Sequence, residues 1–153
     1  MIKVLFICHG NICRSPMAEF VFKDMAEKAG FSGEFEIASA ATSREEIGNP
    51  VHPGTRRKLE PLGISTCGKY AVQVRKTNYE AYDYLIGMDD WNIRNMLRIF
   101  GGDPEHKVYK LLDFTNRPGD VADPWYTGNF DATYRDVLEG CQGLLEKIIK
   151  DKS

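Results

Sequence analysis

Residues 3–20, Lys-Val-Leu-Phe-Ile-Cys-His-Gly-Asn-Ile-Cys-Arg-Ser-Pro-Met-Ala-Glu-Phe, constrain the fold more than any other stretch. An apolar run from Val4 to Ile7 stops at Cys8, Arg14 closes the following loop, and Ser15-Pro16 then opens a helical pattern. A short, nearly continuous apolar run rich in Val and Ile reads as a strand buried on both faces, here over 2–7. Ser15 is a good N-cap and Pro16 suits a first helical turn. Met17, Phe20, Val21, Met25 and Ala29 recur at helical spacing, Glu19 is placed to stabilise the first turn, and Gly30 is a natural stop. The unit is therefore strand, tight loop, helix. A loop at a helix N-terminus gathers unpaired N–H groups and the positive end of the helix dipole, which makes it an anion site.

The rest of the chain repeats the alternation. Strands are expected over 34–42, 84–88 and 108–112, and helices over 55–62, 77–82, 90–100 and 130–150. A long loop with two prolines and two glycines is expected from Phe114 to Asn129. Alternating strands and helices imply an α/β fold in three layers: a parallel sheet with helices on both faces, joined by right-handed crossovers. Ligands of such sheets sit beyond the carboxyl ends of the strands. Cys8, Ser39, Asp89 and the Phe114–Asn129 loop all follow strands and can meet at that edge.

At 153 residues the chain is expected to form one domain, 1–153. Twenty Lys and Arg against 22 Asp and Glu leave a net charge of −2, which points to neither nucleic acid nor a membrane surface. No apolar stretch is long enough to span a bilayer, and Met1-Ile2-Lys3 leads straight into a strand with no signal-peptide pattern, so the cytoplasm is the expected compartment. The four cysteines, Cys8, Cys13, Cys67 and Cys141, form neither a Cys-x-x-Cys motif nor a His/Cys cluster; no metal and no cofactor are expected.

The thiolate, not the thiol, is the nucleophilic form of cysteine. Loop amides, the dipole of the helix opening near Ser15, and Arg14 all favour that anion at Cys8. The planar fork of Arg14 can hold two oxygens of a phosphate at once and stabilise their charge as a phosphoryl group transfers. Ser15 can donate a hydroxyl hydrogen bond to the Cys8 sulfur and ease its departure. Gly10 and Asn11 both tolerate the positive φ that a sharply bent loop requires. The loop lacks Gly-x4-Gly-Lys-Ser/Thr and Gly-x-Gly-x-x-Gly, so it is not a nucleotide-binding loop of either kind. Cys-x5-Arg by itself also fits an ordinary buried cysteine or a plain anion site.

A phosphoryl transfer to Cys8 needs an acid for the leaving group. Asp123-Pro124-Trp125-Tyr126-Thr127-Gly128 reads as a rigid turn that offers one carboxylate beside two large aromatics. Asp123 could protonate the departing oxygen and then deprotonate the attacking water. Taken alone, the same turn is equally an Asp in a Pro-Gly bend with its aromatics partly in the core.

Residues 8–19, Cys-His-Gly-Asn-Ile-Cys-Arg-Ser-Pro-Met-Ala-Glu, together with 123–128, resemble the low-molecular-weight protein tyrosine phosphatases. So do Ser39-Ala40-Ala41-Thr42-Ser43, Ile47-Gly48-Asn49-Pro50 and Tyr84-Leu85-Ile86-Gly87-Met88-Asp89, so that the likeness runs over essentially the whole chain. The resemblance implies a four-stranded parallel sheet of order 2-1-3-4, a phospho-cysteine intermediate on Cys8, phosphate binding by Arg14, and Asp123 as general acid and base. It implies that His9, Gly10, Asn11, Ile12, Cys13 and Ser15 surround the substrate phosphate. Ile12, Trp125 and Tyr126 then shape a slot deep enough for phosphotyrosine and too deep for phosphoserine. Members of the family protect the nucleophile through a disulfide with the second loop cysteine, here Cys13. Two departures stand out. The family's His-x-Ala-Arg is replaced by Gly68-Lys69-Tyr70-Ala71-Val72-Gln73, which removes the usual support of Asn11 and leaves more of it to Ser39. Glu45 stands where many relatives place an aromatic.

Arsenate reductases of the same fold need two further cysteines close together on a flexible segment. Residues 75–95 contain none, and Cys67 and Cys141 are isolated. Protein-arginine phosphatases of this family carry Thr where this chain has Ile12, and an apolar side chain there favours an aryl ring. A non-catalytic phosphate-binding module would lack the Cys or the Asp. The expected partner is a tyrosine-phosphorylated protein, with a cognate tyrosine kinase as a further candidate, and the chain is expected to act as a monomer.

Overall fold

The computed structural model describes residues 1–152. Strands β1 (Ile2–Cys8), β2 (Phe35–Ala41), β3 (Tyr84–Gly87) and β4 (Val108–Lys110) form one sheet in the order β2-β1-β3-β4, with every neighbouring pair parallel. β1 lies in the middle; Cys8 pairs with Ala41 and Ile7 with Gly87, so β1, β2 and β3 end at one edge. The α/β class, the order and the helices on both faces are those expected from the sequence.

The two faces follow from the period of two along a strand. Val4, Phe6 and Cys8 face one layer, while Leu5 and Ile7 face the other. On the first face, α1 (Arg14–Lys28) and α6 (Phe130–Lys152) bury Met17, Val21, Phe22, Val137, Cys141 and Leu144. Phe22 stands edge-on to Phe6 and Phe35, with ring centroids 5.7 and 5.3 Å apart. The short helix α2 (Pro53–Leu59) adds Leu59 to this layer. On the second face, α4 (Asp90–Phe100) contributes Met96 and Phe100, and α3 (Asn78–Ala81) contributes Tyr79. α6 approaches the segment after β4 closely: a Cβ on Gly143 would lie 2.1 Å from the Phe114 carbonyl oxygen.

Several boundaries differ from expectation for local reasons. Helix α1 begins at Arg14, its N-cap position is Cys13 without a side-chain cap, and Ser15 lies inside the first turn. The Ser15 hydroxyl is drawn to Cys8 rather than to the helix amides. Glu19 falls beyond the first turn, and its carboxylate bonds Ser39 and Lys23 instead of serving the dipole. Helix α2 begins two residues early because His52 caps it, Nδ1 accepting the Gly54 N–H at 3.0 Å, and Pro53 suits its first turn. It gives way to a 3-10 turn over Glu60–Leu62, where Pro61 has no N–H to continue the ladder. β4 stops at Lys110, since Leu111–Phe114 winds into a 3-10 turn with the Lys110 N–H on the Asp113 carboxylate at 2.9 Å. The expected loop from Phe114 to Asn129 contains one helical turn, α5 (Pro124–Thr127).

Candidate active site

The loop between β1 and α1 turns its carbonyls outward. The Cys8 and His9 carbonyls accept from the N–H groups of Thr42 and Ser43 at 2.9 and 3.1 Å. The Ile12 carbonyl accepts from the His52 N–H at 2.8 Å, and the Cys13 carbonyl from the Met17 N–H and the Thr55 hydroxyl. The N–H groups of Gly10, Ile12 and Cys13 find no acceptor among the described residues. The Asn11 N–H points at the Cys8 sulfur, 3.3 Å away. The result is a cup of donors around Cys8 at the start of a helix.

Asn11 is the hub of the cup. It is 1 % exposed and sits at φ 59°, a left-handed conformation in which Asn is among the few tolerated side chains. Its Nδ2 donates to Ser15 Oγ at 2.8 Å and to Ser39 Oγ at 2.9 Å, and its Oδ1 accepts the Val72 N–H at 3.1 Å. The support that the family histidine would give is thus supplied by the Val72 backbone and Ser39. Ser39 in turn donates to Glu19 Oε1 at 2.5 Å. Since Ser15 Oγ already accepts from Asn11, its own hydrogen is free for the Cys8 sulfur, 3.0 Å away. Gly10 does not adopt positive φ, contrary to expectation; a Cβ there would come within 3.3 Å of Glu46 Cγ.

Arg14 is 3 % exposed and held from behind. Its Nη1 donates to Asp89 Oδ2 at 2.8 Å and to the Val121 carbonyl at 3.1 Å, while Nη2 stands 3.4 Å from Asp123 Oδ2. Burial pulls the guanidinium down, but Cys8, Asp89 and Asp123 outweigh it and leave Arg14 above its ordinary range. With Nη1 spent on the scaffold, Nε and Nη2 remain for an oxyanion. Asp89 is itself fixed at the N-cap of α4, where its Oδ1 accepts the Asn92 N–H at 2.7 Å.

Asp123 caps α5, with Oδ1 accepting the Trp125 N–H at 3.0 Å, which leaves Oδ2 toward Arg14 and the cleft. The cleft measures about 580 Å³ and contains Cys8, Arg14 and Asp123 together with Ile12, Trp125 and Tyr126. Trp125 and Tyr126 are 63 % and 85 % exposed, so they stand as walls and not as core. Trp125 leans edge-on against His52, which stacks on Phe130. At the rim, Glu45 pairs with His9 Nε2 at 2.9 Å. Of the residues expected at the site, Cys8, His9, Gly10, Ile12, Cys13, Arg14, Asp123, Trp125 and Tyr126 line this cleft, whereas Asn11, Ser15 and Ser39 are buried behind it.

Burial, then Cys8 and Asp123, push the Cys13 thiol from 9.0 up to about 12, so it stays protonated beside Cys8. Cys141 is fully buried, which raises its thiol far above the ordinary range, and Cys67 is exposed. Neither belongs to the cleft. No group of three or more His, Cys, Asp or Glu that could hold a metal ion occurs among the described residues. No helix among them is long and apolar enough to cross a membrane.

Sequence reasoning placed Asp89 at the right edge but gave it no role; an Asp at a strand end that also opens a helix was the available signal. It missed Trp91, Asn92 and Glu46, which also line the cleft. Asn92 Nδ2 is the only buried side-chain nitrogen or oxygen without a partner among the described residues, and nothing in the structure explains it.

The chain matches known proteins along its length. It is 43 % identical over 154 residues to the low molecular weight protein-tyrosine-phosphatase YfkJ of Bacillus subtilis, covering 99 % of each chain. The crystal structure of YfkJ superposes with a TM-score of 0.97 at 42 % identity, covering 100 % of this chain and 98 % of that one. The low molecular weight protein tyrosine phosphatase SP-PTP of Streptococcus pyogenes gives a TM-score of 0.86 at 42 % identity, over 96 % and 93 % of the two chains. The family model of the low molecular weight phosphotyrosine protein phosphatases matches residues 3–153, and the chain belongs to that family of hydrolases.

Proposed function

We propose that this protein hydrolyses protein phosphotyrosine in two steps through Cys8. The Cys8 thiolate attacks phosphorus; the bond from phosphorus to the tyrosine oxygen breaks, and Asp123 delivers a proton to the departing phenolate. Water then attacks the phospho-cysteine, Asp123 takes its proton, and the phosphorus–sulfur bond breaks to release phosphate and restore the thiolate. The N–H cup and the free edge of Arg14 stabilise the charge on the transferring group in both steps. The Ser15 hydroxyl stabilises the departing sulfur in the second.

One observation carries this reading: the Cys8 sulfur, bonded by Ser15 and the Asn11 N–H, shares a cleft with a buried Arg14 whose far side is fully occupied and with Asp123 on the wall. The substrate class follows from the walls. Ile12, Trp125 and Tyr126 offer apolar and aromatic surface to a flat ring, the free N–H groups of Gly10, Ile12 and Cys13 are there to hold the phosphate at the base, and His9 stands at the rim beside Glu45. The test is release of phosphate from para-nitrophenyl phosphate and from phosphotyrosine, phosphoserine and phosphoarginine peptides in the presence of EDTA. Turnover of the aryl substrates, abolished by Cys8→Ser, is expected. A Cys8→Ser variant with undiminished turnover overturns the mechanism, and a preference for phosphoarginine overturns the substrate class.

A further inference from the structure

Lys69 stands outside the cleft lining, and its side chain is only 12 % exposed. The turn Thr66-Cys67-Gly68-Lys69 delivers it: the Lys69 N–H bonds the Thr66 carbonyl at 3.2 Å, and Gly68 supplies the left-handed φ of 86°. From there the ammonium donates to the Ser39 carbonyl at 2.8 Å and lies 3.9 Å from Glu19 Oε1. Ser39 is therefore gripped twice, at its carbonyl by Lys69 and at its hydroxyl by Glu19. That hydroxyl receives Asn11 Nδ2, and the Asn11 N–H reaches the Cys8 sulfur. Three residues after Lys69, the Val72 N–H takes the other end of the same amide. Residues 69–72 thus hold Asn11 directly through Val72 and at one remove through Ser39.

Glu19 makes this arrangement depend on charge. It is a buried carboxylate two hydrogen bonds from Asn11, and a bare negative charge there opposes a thiolate at Cys8. Two cations face it. Lys23, on the same helix at 2.6 Å, is 42 % exposed and screened by water. Lys69 is the shielded one. The charges that face Lys69 are Glu19 and Lys23 from α1 and Cys8 from β1, and the Tyr82 hydroxyl also feels Glu19. Burial lowers the Lys69 ammonium below its ordinary range, while Glu19 and Cys8 oppose that fall.

We propose that Lys69 is a positioning residue of the nucleophile loop: its ammonium locks Ser39 and Glu19 behind Asn11 and offsets the Glu19 charge, keeping Cys8 in its reactive state. This role adds a residue to the mechanism proposed above and rests on it for its consequence in catalysis.

The test compares Lys69→Met, Lys69→Gln and Lys69→Arg with the wild type. The first readout is the rate of Cys8 alkylation by iodoacetamide across pH, assigned to its peptide by mass spectrometry; it needs no substrate and so stands even if the substrate reading fails. The second is kcat/KM for para-nitrophenyl phosphate. Loss of a charged hydrogen bond leads us to expect Lys69→Met to lower both rates about tenfold near neutral pH, with the acid limb of alkylation moved to higher pH. Lys69→Arg should stay within about twofold of the wild type, as expected of a retained cation. A folded Lys69→Met protein with an unmoved limb and undiminished rates overturns the proposal, as does a Lys69→Arg protein as impaired as the Met variant. Where Lys69→Met fails to fold, Lys69→Gln decides by the same two readouts.

Discussion

Arg14 donates from Nη1 to Asp89 at 2.8 Å, and Asp89 caps helix α4 with its other oxygen. One carboxylate thus couples the guanidinium to the rigid end of β3. Asp89→Asn separates the two roles, because Asn is as good an N-cap as Asp but carries no charge. The melting temperature should move little, while kcat/KM for para-nitrophenyl phosphate falls ten- to a hundredfold, roughly the worth of a charge-assisted hydrogen bond. Unchanged kinetics would show that Arg14 needs no orienting partner.

Ser15→Ala removes the hydroxyl 3.0 Å from the Cys8 sulfur. The second step loses stabilisation of the departing thiolate and should slow by about tenfold, as for a single hydrogen bond to a charged group. Rapid mixing with para-nitrophenyl phosphate should then show a larger burst of nitrophenol followed by a slower steady rate. Equal slowing of burst and steady rate would place Ser15 in the first step.

Asp123→Asn keeps an acceptor for the Trp125 N–H and so preserves α5, but it cannot transfer a proton. Loss of general acid catalysis should cost about 10²- to 10⁴-fold in kcat/KM, which reports the first step alone, for phenyl phosphate and much less for para-nitrophenyl phosphate, whose leaving group needs little protonation. Comparable losses for both substrates would remove Asp123 as the acid.

The thiol of Cys13 ionises near 9.0 in an unfolded chain and near about 12 in the folded one. The folded state therefore holds this proton more tightly; the resulting stability is fully present below pH 9 and is lost as pH rises toward 12. The loss reaches at most about 4 kcal/mol across that interval. Urea unfolding between pH 8 and 11 should show falling stability in the wild type and a flatter profile in Cys13→Ala. Parallel profiles would mean that Cys13 is not held protonated by the fold.

Gly143→Ala tests the packing of α6 against the segment after β4. The added Cβ would meet the backbone oxygen of Phe114 at 2.1 Å, a contact no rotamer can relieve. About 1–3 kcal/mol of destabilisation is expected from such overpacking, read as a lowered melting temperature. A stable variant would mean that α6 can slide away from the segment after β4.

The fold was legible because local signals agreed. Val4–Ile7, Tyr84–Met88 and the Gly stop at 30 mark strands and a helix end that tertiary packing had no reason to override. Cys8, Arg14 and Asp123 could be picked out as candidates because a strand end, a Ser-Pro helix start and an Asp-Pro turn flag their places, and the fold brings all three to one cleft. What stayed hidden is pairwise. Ser15 carried two readings, an N-cap and a donor to the Cys8 sulfur, and only the approach of Cys8 across the loop decides for the second. Asp89 and Lys69 are ordinary charged residues in sequence; their roles exist only once β1, β2 and β3 end side by side.

The proposed function turns on the phosphoryl group passing through the sulfur of Cys8. Acid quench of the enzyme within the first turnover of a phosphotyrosine peptide, followed by mass spectrometry of the peptide containing Cys8, reads that passage directly. The expected result is a phosphoryl adduct on Cys8 that forms and decays with turnover, gains occupancy in Ser15→Ala, and is absent in Cys8→Ser. Turnover with no adduct on Cys8, or with the adduct on another residue, would contradict it.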